Sequence, residues 1–179
     1  RAEFDAIGKD DSIRVVILAA TGPVFSAGHD LKELHAHKDD PAYTTKVFAE
    51  CAALMQTIVH LPKPVIAQVH GIATAAGCQL VATCDLAIAA ENTRFAVPGV
   101  NIGLFCSTPA VALSRNIAPK HAMRMLLTGD LIDGLTALRF GLINELVPAD
   151  ALVEHTLTLA RKIAEKSPIV LAMGKEAFY

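Results

Sequence analysis

The sequence has no C-x-x-C pair among its four cysteines, Cys51, Cys78, Cys84 and Cys106. A chain of 179 residues buries enough surface for a core of its own, so it has no need of disulfide staples. The cysteines are expected to be reduced, small buried residues. The chain also lacks a net charge of either sign worth the name. Its formal value is −2, which gives no support to nucleic-acid binding and no global field to draw in a polyanion. No apolar stretch is long and charge-free enough to span a bilayer, so no membrane partner is expected. No Ser/Gly-rich linker or low-complexity tract divides the chain, and its length argues for one domain. With 53% hydrophobic and 19% charged residues, it reads as globular rather than disordered.

Strands, loops and helices alternate, which places the chain in the α/β class. Residues 13–19 (IRVVILA) form a short β-branched run expected to be a buried parallel strand, and 65–69 (VIAQV) another. Residues 85–89 and 144–147 are expected strands as well. Asp39-Asp40-Pro41 reads as a cap with proline at the first helical position. The helix that follows, over 42–61, carries one apolar stripe through Val47, Phe48, Cys51, Leu54, Met55 and Ile58. Further helices are expected at 31–38, 75–83, 109–117, 119–127, 134–140, 149–166 and 168–179. A strand–helix unit occurs twice, at 13–38 and 65–83, and on pattern alone that is compatible with a doubly wound sheet.

Two segments carry the chemistry. They are Val24-Phe25-Ser26-Ala27-Gly28-His29-Asp30-Leu31-Lys32-Glu33-Leu34 and His70-Gly71-Ile72-Ala73-Thr74-Ala75-Ala76-Gly77-Cys78-Gln79-Leu80. Each follows an apolar run and leads into a helical pattern. Small residues at such a junction leave backbone N–H groups bare and admit a ligand closely. Two such N–H groups converging from different strand ends make an oxyanion hole.

The ordered pair, followed by Cys84-Asp85-Leu86-Ala87-Ile88-Ala89 and Phe95-Ala96-Val97-Pro98-Gly99-Val100-Asn101-Ile102-Gly103, resembles the enoyl-CoA hydratase/isomerase (crotonase) superfamily. Within it, the likeness is to the enoyl-CoA hydratase domain-containing subgroup. The resemblance implies a spiral of β-β-α units over residues 1–148. It also implies a helical C-terminal part, beginning at 149–179, used for trimer assembly. Strands are expected before Arg1 and more helix after Tyr179, since the chain opens in a helical pattern without Met and closes inside another. By motif position, the backbone N–H groups of His29 and Ala76 would be the oxyanion donors. Ala76 stands where the family usually has glycine, and alanine fits there only at negative φ. Ala27, His29, Asp30, Leu31 and Lys32 fall in the segment that lines the family's coenzyme A site. Lys32 would lie near the phosphates or adenosine, and Asp30 would cap the following turn.

The resemblance breaks at the general acid and base. The two glutamates that share this work in hydratases fall at Gln79 and Gly99. Glutamine does not ionise, and glycine has no side chain. The remaining polar candidates are Asn101, Cys106, Ser107, Thr108 and the His29 imidazole. The expectation is a protein that binds an acyl-CoA thioester and stabilises its enolate, yet is weak or inactive as a simple hydratase. The alternatives are a decarboxylase-type acyl-CoA enzyme, a non-catalytic acyl-CoA-binding protein, and an interaction protein that kept the fold for assembly. No metal and no resident cofactor are expected, coenzyme A being part of the substrate. Assembly as a homotrimer or dimer of trimers is expected. The compartment would be the cytoplasm in a bacterium and the mitochondrial matrix in a eukaryote.

Overall fold

A computed structural model describes residues 1–179. The chain opens with helix α1 (Ala2–Lys9), followed by strand β1 (Val16–Leu18) and helices α2 (Leu31–Ala36) and α3 (Pro41–His60). Strands β2 (Val65–Val69) and β3 (Ile72–Thr74) lead into α4 (Ala76–Thr83). Strands β4 (Leu86–Ala90) and β5 (Arg94–Ala96) lead through a 3₁₀ turn at Pro98–Ile102 into α5 (Ser107–Asn116) and α6 (Pro119–Thr128). The remainder is β6 (Ile132–Asp133), α7 (Gly134–Phe140), β7 (Glu145–Val147), α8 (Leu152–Ala164) and α9 (Pro168–Phe178).

The strands form two sheets. One runs β1-β2-β4-β7 and is parallel throughout; the other runs β3-β5-β6, with β3 parallel to β5. Strand order rises monotonically across both sheets, with no reversal of the kind a doubly wound sheet requires. Two successive turns of chain each contribute one strand to each sheet and then a helix, β2-β3-α4 and β4-β5-α5. The fold is therefore the β-β-α spiral. The sequence reading found the first sheet and missed the second, whose strands are two or three residues long and carry no readable period. Strand β1 is also shorter than expected. It pairs only with β2, and the register opens at Val16 opposite Val65, leaving residues 13–15 without a partner.

Helix starts follow their caps. The Asp30 carboxylate accepts the Lys32 amide at 2.8 Å, and Asp40 accepts the Tyr43 amide at 3.0 Å, with Pro41 at the first helical position. The stripe on α3 is only partly covered: Met55 and Ile58 are buried, while Val47, Phe48, Cys51 and Leu54 remain half-buried. Cys51 thus departs from the expectation of four buried thiols, because its turn of α3 has no element packed fully over it. Cys78 and Cys84 are buried, and burial pushes both thiols up to about 12. Helix α8 covers one face of the parallel sheet, with Leu152 and Ala160 against Ile66, Ile88 and Val147.

A buried polar knot fixes α9. The Lys175 ammonium donates to the Asp85 carboxylate (2.7 Å), the Ile58 carbonyl (2.9 Å) and the Lys63 carbonyl (3.1 Å), using all three of its donors. Asp85 also accepts the Val65 amide at 2.7 Å and the Tyr179 hydroxyl at 3.2 Å. The knot ties the C-terminus of α3 and the starts of β2 and β4 to α9. Desolvation first, and then the Asp85 charge, push the Tyr179 phenol up to about 12.

The junction between β3 and α4 is strained. Ala75 has φ +51° and ψ −121°, and is the one non-glycine residue at positive φ. Such a conformation costs an L-residue about 1–3 kcal/mol. The residue in this glycine-favouring conformation is Ala75, the neighbour of Ala76, and glycine there would be free of the strain. Two outcomes are expected in thermal and urea unfolding. Ala75→Gly stabilises the protein by about 0.5–2 kcal/mol, because relief of strain exceeds the extra unfolded-state entropy of glycine. Lys175→Met destabilises it by about 3–5 kcal/mol, because the buried Asp85 charge and two carbonyls lose their partner. An unchanged midpoint for either variant contradicts the corresponding assignment.

Candidate active site

Two strand-to-helix junctions meet at one point. Ser26 forms an isolated parallel bridge with Ala73, and the Thr74 amide donates to the Ser26 carbonyl at 2.9 Å. Gly77 makes this closeness feasible: a Cβ built there would lie 2.2 Å from the Ser26 oxygen. On the other side, Gly28 has φ +91°, and its missing Cβ would stand 3.1 Å from the Ala76 nitrogen and 3.0 Å from the Ala75 Cβ. Residues 26–29 and 75–77 are therefore packed backbone to backbone.

The His29 and Ala76 amides enter no turn, loop or cap hydrogen bond and no bond to a side-chain acceptor. Ala76 is the first residue of α4, where an N–H has no intrahelical acceptor. Its φ is not positive, as alanine requires there. Both residues line the same cavity of about 450 Å³, together with Ala27, Leu31, Phe48 and Phe105. The positive end of the α4 dipole faces the same point. The His29 imidazole packs on Phe48 of α3, ring centroids 5.0 Å apart. Asp30 serves as the α2 cap, while Lys32 is exposed and makes no salt bridge.

The two positions that lack carboxylates differ physically. Gly99 lies in the wall of this cavity, buried, with its amide donating to the Cys106 sulfur at 3.3 Å. A Cβ on Gly99 would lie 2.3 Å from the Leu104 carbonyl oxygen and 2.8 Å from the Cys106 sulfur. The segment 104–106 has folded into the volume a side chain would need. Cys106 is thereby a buried hydrogen-bond acceptor with no adjacent base, which removes it as a nucleophile. Asn101, Ser107 and Thr108 also line the cavity.

Gln79 is 5% exposed and does not line that cavity. It faces a second, larger one of about 710 Å³ bounded by α3, α4, α5 and the end of α9. The Gln79 Oε1 is buried without any donor. Thr108 lines both cavities, so they adjoin at the first turn of α5. The sequence reading missed this second cavity; its polar members are dispersed along the chain from Gln56 to Tyr179 and share no motif.

The chain's likeness to known proteins agrees with this geometry. Residues 2–179 match the sequence profile of the enoyl-CoA hydratase/isomerase family. The rat enoyl-CoA hydratase domain-containing protein 3, mitochondrial, is 51% identical over 171 residues, which cover 96% of this chain and 57% of that protein. The chain therefore spans little more than half the length of such relatives. Among solved structures, an enoyl-CoA hydratase of Mycobacterium smegmatis superposes with TM-score 0.96 at 51% identity, covering 99% of this chain and 69% of its own. Human enoyl-CoA hydratase domain-containing protein 3 superposes with TM-score 0.91 at 47% identity, covering 99% and 73%. With its fold, its paired junction motifs and these relatives in agreement, the chain belongs to the enoyl-CoA hydratase/isomerase family.

Proposed function

We propose that this protein binds an acyl-CoA thioester and polarises its carbonyl between the His29 and Ala76 amides, without the acid–base pair a simple hydratase needs. One observation carries the reading. Two backbone N–H groups with no protein acceptor line one cavity, on segments packed in direct contact. Preorganised donors of this kind stabilise negative charge as it develops on a thioester oxygen, and the α4 N-terminus adds to the effect. The adjoining residues suit the carrier: Ala27 and Leu31 line the cavity beside the amides, and exposed Lys32 would offer its charge to a phosphate.

Hydration across a double bond needs a group to activate water and a group to protonate Cα. Each contributes about 10²–10⁴ in rate. Gln79 cannot ionise, and Gly99 cannot gain a side chain without moving Leu104 and Cys106. A reaction that needs no abstracting base is decarboxylation of a malonyl-type thioester. There the Cα–carboxylate bond breaks, CO₂ departs, the electron pair becomes an enolate held by the two amides, and water supplies the proton to Cα. Simple binding without turnover is the other outcome the residues permit. The same reading assigns the protein to the mitochondrial matrix in a eukaryotic cell, where the word mitochondrial in the rat relative's name supports the organelle, and to the cytoplasm in a bacterium. Assembly into a homotrimer or a dimer of trimers would cover Ile169, Val170 and Met173, which α9 leaves exposed.

Three measurements test this. Bound butyryl-CoA should show its thioester carbonyl stretch moved to lower frequency. An amide-to-ester replacement at Ala76, which deletes that one N–H and keeps the backbone shape, should abolish most of that shift. An unshifted carbonyl in the unsubstituted protein overturns the oxyanion assignment. Crotonyl-CoA hydration should run several orders of magnitude, about 10³-fold or more, below that of an enzyme with both glutamates. Gly99→Glu should lower stability rather than restore hydration, and restored turnover would contradict the crowding at this position.

A further inference from the structure

The cavity lined by His29 and Ala76 is nearly devoid of groups that can move a proton. Among its lining residues only His29 and Cys106 have titratable side chains; no aspartate, glutamate, lysine, arginine or tyrosine is among them. Cys106 is buried, and its sulfur is already taken by the Gly99 amide at 3.3 Å. Asn101, Ser107 and Thr108 offer amide and hydroxyl groups, which form hydrogen bonds without changing charge. One imidazole is left in an otherwise neutral and largely apolar wall.

That imidazole is also uncommitted. His60 and His70 each spend a ring nitrogen on a main-chain carbonyl, of Gln56 and Gly22 respectively, both at 2.8 Å, and His155 spends one on the Glu145 carboxylate. The His29 ring makes no hydrogen bond and no salt bridge. His29 is half-buried, and its ring leans at 57° on the ring of Phe48. Phe48 lines the same cavity, so this packing steadies the imidazole beside the cavity and leaves its nitrogens free.

We propose that the His29 imidazole carries protons to and from the carbon next to the bound thioester carbonyl, directly or through one water. The inference rests on the acyl-CoA reading above and adds to it the group that moves the proton. Histidine both takes and gives a proton at physiological pH. The ring is tethered through Cα and Cβ of His29 to the nitrogen that, on that reading, grips the thioester oxygen. Once CO₂ has left a malonyl-type thioester, an N–H bond of the imidazolium breaks and its proton passes to the substrate's Cα. The enolate's electron pair forms the new C–H bond, and the neutral ring regains a proton from water. The proton that water supplies thus reaches Cα by way of the ring. In reverse, the neutral ring takes a proton from Cα of a saturated acyl group, and the C–H electron pair becomes the enolate.

The reverse step gives the test. Deuterium entering the α position of butyryl-CoA in heavy water is followed by mass spectrometry, and the carbonyl stretch of the bound thioester is recorded beside it. Both readouts are taken on the full-length protein and on His29→Gln and His29→Ala, which remove the ring and keep the main-chain N–H. The unsubstituted protein should incorporate deuterium, and both variants should slow incorporation by about 10²-fold or more while the carbonyl shift remains. Three results overturn the proton-carrying role and leave the acyl-CoA reading intact: no incorporation by the unsubstituted protein despite a shifted carbonyl, incorporation undiminished in the variants, or loss of shift and incorporation together in both variants. An unshifted carbonyl in the unsubstituted protein overturns both.

Discussion

Everything at the candidate site depends on two strand ends lying closer together than side chains allow. The Ser26 carbonyl sits where the Cβ of residue 77 would be, and Gly28 turns at φ +91° against Ala75 and Ala76. Ladder-like bonds, Thr74 amide to Ser26 carbonyl and Ala75 amide to Ala96 carbonyl, both 2.9 Å, stitch the junctions to each other and to β5. The amides that remain unpaired are thus aimed by the main chain. That explains how a histidine stands at position 29: its ring is used against Phe48, and its identity is irrelevant to what its N–H does.

The strain this geometry imposes is local, and it is offset elsewhere. Ala75 accepts a conformation meant for glycine in order to turn β3 directly into α4. The parallel sheet behind it is buried on both faces, by α8 on one side and by the main apolar cluster on the other. At the opposite end of β2, Asp85 and Lys175 hold the starts of two strands, the end of α3 and α9 together. A buried ion pair of this sort adds little net stability over an apolar substitute, but it admits one register and one docking angle. The β2-β3 run therefore reaches the site from a fixed origin.

Legibility in the sequence followed the physical source of each feature. Helices with caps and stripes, such as α3, and fully buried parallel strands, such as β2, were readable because a period or an apolar run dictates them. The two close-packed junctions at residues 26–29 and 75–77 were readable because close backbone approach forces small residues at fixed spacing. The second sheet was not, since Ile72–Thr74, Arg94–Ala96 and Ile132–Asp133 are too short to show alternation. Two lysines, Lys63 and Lys175, were silent. A lone lysine in a helical or turn pattern reads as solvated, and only the fold reveals that both ammonium groups bond main-chain carbonyls distant in sequence. The expectation that Ala76 keeps a negative φ is met, while the strain at its neighbour Ala75 had no signal in the sequence reading.

The absent carboxylates looked equivalent in the sequence and are not. At position 79, glutamine keeps the length of glutamate, and its amide is buried and unpaired, so the space for a polar group survives there. At position 99 no such space remains. The Leu104 carbonyl and the Cys106 sulfur occupy it, and the Gly99 amide is tied to that sulfur. Placing a carboxylate there would therefore require refolding the 99–106 segment, which lines the cavity shared by His29 and Ala76 along much of its length. On the reading proposed above, a site that polarises a carbonyl while its own backbone fills the space beside Gly99 is confined by geometry. On that reading, what remains open to it is chemistry in which the electron pair arrives from a bond breaking in the substrate, or recognition of a thioester without change.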